Sequence, residues 1–73
     1  MSATALDLRG LEPPEPLVRS VEAAEKLAIG EELLVTTTRR PLHLLSLLAG
    51  RGFELQTTDR GECHETRVRR PQV

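Results

Sequence analysis

The sequence predicts an α/β fold of the α+β kind: a two-layer sandwich with both helices on one face of a mixed four-stranded sheet. Three observations predict it. Short stretches with alternating or β-branched apolar residues recur at 5–8, 33–38, 53–58 and 63–69. Stretches of helical period separate the first three, at 16–28 and 42–49. The outward residues of the last two strands are polar, which a sheet covered on both faces would not tolerate.

In the first strand, Leu6 and Leu8 share one face, and Ala5 and Asp7 the other. Gly10 ends it. Pro13, Pro14 and Pro16 donate no backbone hydrogen bonds, so they fit a loop and the first turn of a helix. The first helix places Leu17, Val21, Ala24 and Ala28 on one stripe, widened by Val18 and Leu27. Gly30 is expected to close it with a left-handed residue, and Ile29 to pack back on the last turn.

The second strand turns Leu33, Val35 and Thr37 to one face. Pro41 suits the start of the second helix, whose Leu42, Leu44, Leu45, Leu47 and Leu48 leave a polar stripe of His43, Ser46 and Gly50. The third strand points Phe53, Leu55 and Thr57 inward and Glu54, Gln56 and Thr58 outward. Asp59, Arg60 and Gly61 form a hairpin loop whose glycine can take positive φ. The fourth strand points His64, Thr66 and Val68 inward and Cys63, Glu65, Arg67 and Arg69 outward. The order is β-α-β-α-β-β. Right-handed crossovers make the first three strands parallel, and the hairpin makes the fourth antiparallel.

The 73 residues suit one domain, with a core at 5–70 and loose ends at 1–4 and 71–73. A chain this short buries only about 60% of its unfolded surface. Phe53 is its one aromatic, so leucine, valine, isoleucine and alanine must fill the core. The net charge of −1 gives no overall attraction to nucleic acid or an anionic membrane, leaving only local patches. One cysteine forms no internal disulfide and suits a reducing cytoplasm. No apolar run approaches the roughly 20 residues a membrane helix needs, and the start lacks the pattern of a signal peptide.

The run Gly10-Leu11-Glu12-Pro13-Pro14-Glu15-Pro16 resembles the G-L-x-C-P-x-P signature of the bacterial SirA/TusA-like sulfur-carrier proteins. Element order, length and the Ile29-Gly30-Glu31 turn are also similar, over residues 6–69. The likeness is nearest to a subgroup known only as a domain of unknown function. That subgroup shows L-D-x-R-G-L-x-P-P-E-P near its start, x-P-L-x-L-L in helix two and a terminal x-R-V-R. The resemblance implies a sheet order of 1-2-4-3. Similar domains occur fused to or beside redox and iron-binding proteins, which implies a redox accessory role. In true carriers the cysteine takes sulfur as a persulfide and passes it to a partner. Pro13 stands at that position here and has no nucleophile.

Prolines remove anion donors from the first helix entry, and Glu12 and Glu15 add negative charge, so that entry reads as a stiffened start or as a rigid acidic knob for a protein partner. Cys63, the only thiol, is either a bystander or the carrier of sulfur; Glu62 and Glu65 disfavour its thiolate. Cys63 and His64 point to opposite strand faces, and neither they nor His43 show metal-pair spacing, so no metal or other cofactor is expected. Arg39 and Arg40 before helix two form either a solvated loop or an anion site. Arg67, Arg69 and Arg70 lack stacking aromatics, which weakens an RNA-binding reading. Leu44 and Leu47 either serve the core or form part of an exposed apolar strip. The expectation is therefore a non-enzymatic protein-binding module acting through helix two, the Pro13 knob, or both. The alternatives are a sulfur carrier using Cys63 and an RNA- or anion-binding module.

Overall fold

A computed structural model describes residues 3–71. The expected loose ends at 1–2 and 72–73 lie outside them. Thr4 is not loose: it belongs to the first strand, β1 (Ala3–Asp7). The remaining elements are α1 (Glu15–Glu25), β2 (Glu32–Thr37), α2 (Leu42–Gly50), β3 (Glu54–Asp59) and β4 (His64–Arg69).

The sheet order is β1-β2-β4-β3. β1 pairs parallel to β2, with Leu6 opposite Val35. β4 lies antiparallel between β2 and β3, so Val68 faces Leu33 on one side and Leu55 on the other. Strand alternation sends Leu33, Val35, Thr66 and Val68 under the helices, all buried. Ala24 and Leu27 from the α1 side and Leu44 and Leu48 from α2 close the core from above. Glu54, Gln56, Thr58, Arg67 and Arg69 lie exposed on the other face. Two buried polar groups are satisfied within this frame. The Ser20 hydroxyl donates to the Pro16 carbonyl at 2.7 Å, and the Thr57 and Thr66 hydroxyls meet at 3.2 Å.

Three expectations need correction. α1 stops at Glu25 rather than Ala28, because the Lys26 and Leu27 N–H groups reach back only three residues, to Ala23 and Ala24. That tightening tucks Leu27 into the core and turns Ala28 out. The buried stripe runs through Ser20 and Ala24, and Val18 is 46% exposed. Ile29 does not pack back on the helix but is 62% exposed. Its neighbour Gly30 has φ of +87° and donates its N–H to the Arg70 carbonyl, which turns the chain toward the sheet and leaves Ile29 outside.

Candidate functional site

Parallel strands β1 and β2 each feed a helix, so the entries of α1 and α2 lie at the same end of the sheet, with the β3–β4 hairpin beside them. Asp7 and Arg9 stand where β1 runs out. Arg9 donates through Nε to Asp7 Oδ1 at 2.9 Å and through Nη2 to Oδ2 at 2.7 Å, and its backbone N–H also reaches Oδ1. These bonds lower the Asp7 carboxyl to about 2 and raise the guanidinium above its ordinary value. Cys63 and Glu62 add smaller electrostatic contributions at Arg9.

Gly10 turns the chain with φ of +83°, and the Pro13–Pro14 peptide is cis. The Glu15 N–H donates to the Glu12 carbonyl at 2.9 Å, and the Val18 N–H to Pro14 at 3.0 Å. Pro16 has no N–H. In that first turn, among the described residues, only the Leu17 N–H lacks a protein acceptor. An anion nest needs several such donors converging. Glu15 is paired with Arg19 at 3.1 Å, whereas the Glu12 side chain has no partner among the described residues. Pro13 is exposed beside it.

On the next loop, the Thr37 hydroxyl donates to the Arg39 carbonyl at 2.6 Å and holds the approach to α2. The Arg39 and Arg40 side chains are exposed and, among the described residues, make no ion pair or hydrogen bond. His43 is exposed in the first turn of α2. Of the two alternatives for Leu44, the structure has the core one: it is 3% exposed and lies with Leu48 in the core. Residues four apart share a helix face, so Leu44 and Leu48 point down together while Leu42 points away. Leu42 is 65% exposed, and Leu47 is half-buried at the flank.

Cys63 is half-buried just before β4. Its carbonyl accepts the Arg60 N–H at 2.8 Å. His64, next in line, turns inward; its Nδ1 is buried without a hydrogen-bond partner among the described residues, and its Nε2 lies 3.9 Å from Asp59. No three His, Cys, Asp or Glu side chains converge among the described residues. The terminal arginines are occupied: Arg67 meets Glu32 at 3.4 Å and Arg69 meets Glu54 at 3.0 Å. Arg70 lies 5.0 Å over the Phe53 ring and donates to the Glu25 carbonyl at the end of α1.

Sequence reasoning missed the Asp7–Arg9 fork, although an acid and a base two apart at a strand end signal it. It also missed Leu42 as the exposed leucine of α2.

Comparison with known families matches residues 5–71 to the family described as Uncharacterized conserved protein (DUF2249). The chain belongs to the DUF2249 family. No curated protein matches it. Among solved structures, the crystal structure of a SirA-like protein from Desulfitobacterium hafniense superposes with a TM-score of 0.80 at 19% identity. The match covers 97% of this chain and 100% of that one. This DUF2249 chain therefore has the SirA/TusA-like fold, with the sheet order that its opening motif implied. Among the described residues, no helix is long and apolar enough to cross a membrane.

Proposed function

We propose that this DUF2249 domain is a non-enzymatic protein-binding module of the cytoplasm, built on a sulfur-carrier scaffold whose carrier position is held by Pro13. One observation supports it most. Nearly all the charges on the open sheet face are paired, yet Glu12, Arg39 and Arg40 are left without partners at the end where both helices begin. Pro13 and Leu42 are exposed at that same end. Apolar contacts ringed by unpaired charges are what a protein partner engages. The pairing of Arg67 and Arg69 disfavours an RNA surface on the open face.

The test is affinity capture from native extract with the wild type and with Leu42→Asp plus Arg39→Glu/Arg40→Glu. Specific partners held by the wild type and lost by the folded variant are expected. Equal capture by both, or none by either, overturns the reading.

Cys63 supports a second reading, because it is the one thiol of the chain and stands free and only half-buried just before β4. A Cys63 thiolate would take the outer sulfur of a donor persulfide, releasing the donor as a thiolate. Incubation with a cysteine desulfurase and cysteine would then add one sulfur to the wild type and none to Cys63→Ser, read by intact mass. An unchanged wild-type mass overturns it.

A further inference from the structure

β1 is an edge strand: it pairs with β2 on one side and, among the described residues, with nothing on the other. The Leu8 N–H donates to the Thr36 carbonyl at 2.8 Å. Strand alternation then directs the backbone groups of Thr4, Leu6 and Leu8 toward β2, and those of Ala3, Ala5 and Asp7 toward the open side. Natural edges are usually blunted by proline, lysine or a bulge. β1 has neither proline nor lysine, and Thr4 and Ala5 at its middle are small. The opposite edge strand, β3, carries Glu54 and Asp59 at its ends.

Beside β1 runs an open groove of about 500 Å³, floored by Leu6, Leu8, Leu11 and Ala23. Glu22 of α1 and Lys26 just beyond its end rim it, together with Asp7 and Arg19, which are paired with Arg9 and Glu15. Glu22 and Lys26 are one helical turn apart and opposite in charge, and neither side chain has a partner among the described residues.

We infer that this edge and groove bind a second copy of the chain about a two-fold axis at Ala5. Antiparallel pairing of β1 with its copy sets Ala5 against Ala5 of the partner subunit and Asp7 against Ala3 of the partner subunit. That register uses every outward backbone group of Ala3, Ala5 and Asp7 on both strands. It joins two four-stranded sheets into one and brings α1 alongside its copy, antiparallel, at the roughly 10 Å spacing of packed helices. The groove is then covered from both sides. Glu22 faces Lys26 of the partner subunit, and the symmetry makes the contact twice. A lone extended peptide would complete the backbone pairing but would not supply this reciprocal charge match.

Sedimentation equilibrium of the full chain, from about 1 μM to about 1 mM, tests the inference. The wild type is expected at twice the chain mass. Ala5→Pro removes an N–H that points to solvent in the single subunit, so it should keep the circular dichroism spectrum and sediment as a monomer. Glu22→Lys should weaken association about tenfold or more, and Glu22→Lys/Lys26→Glu should restore it. If Ala5→Pro does not fold, the Glu22 and Lys26 variants decide the matter alone. A wild type monomeric throughout, with or without a bound peptide, overturns the inference. So does a dimer that Glu22→Lys leaves unchanged.

Discussion

Arg9 ties the end of β1 to the turn that follows, because one guanidinium occupies both carboxylate oxygens of a residue two positions back. Planar, bidentate pairing of this kind is stronger and more directional than a single contact. Both side chains are more than half exposed, so water and salt screen the pair and its weight is local. The Asp7 carboxyl lies at about 2 in the folded chain against an ordinary 3.8. The pair therefore adds stability above the ordinary value and loses it as pH falls through about 2. An NMR titration of the Asp7 carboxyl should show a midpoint near 2, moving toward 3.8 in Arg9→Gln. A midpoint already near 3.8 in the wild type would refute the fork. Both this fork and the exposed leucine of α2 escaped the sequence reading, but only the fork carries a local signal. Asp7 and Arg9 are neighbours whatever the register. Leu42 and Leu44 differ only in which way the first turn of α2 happens to face.

That difference is decided at the scale of the element. α2 is apolar over most of its surface, so hydrophobic periodicity alone does not single out a buried stripe. Its contacts do: Leu44 and Leu48 meet the sheet, and Leu42 meets water. Leu48→Ala should cost about 2–5 kcal/mol, the usual range for emptying a buried leucine site. Leu42→Ala should change stability by less than about 0.5 kcal/mol. Urea denaturation of the two variants checks this, and equal midpoints would show that α2 is rotated. The strands were legible almost to the residue, because a period of two with one polar face admits only one orientation. The end of α1 was not. Its apolar spacing continues through Leu27 and Ala28, while the backbone has already tightened at Lys26. The candidate site was legible as a place, from the prolines and the glycine turn. Its open charges, Glu12, Arg39 and Arg40, were legible only as residue types, since pairing elsewhere on the sheet is a tertiary fact.

The whole molecule depends on its last strand. β4 comes last among the described elements yet lies inside the sheet, with β2 on one side and β3 on the other. β3 has no other strand partner among the described residues. Thr66 and Val68 are fully buried, so β4 also fills the middle of the core beneath both helices. Beyond it, Arg70 returns to the end of α1 through the Glu25 carbonyl, and its backbone bonds Gly30 and Glu31. A core of this size has little to spare, and two strands alone rarely hold a sheet in water. A chain ending at Glu62 keeps both helices and three strands in sequence, but only β1 and β2 would retain a pairing. It should therefore show no cooperative thermal transition by circular dichroism, whereas the full chain should melt in a single step. Val68→Asp, which sets an unpaired charge at the same central position, should unfold the full chain at room temperature. A sigmoidal melt from the shortened chain would mean that β1, α1, β2 and α2 fold as a unit without β4, and that the sheet is added to a helical core rather than built around its last strand.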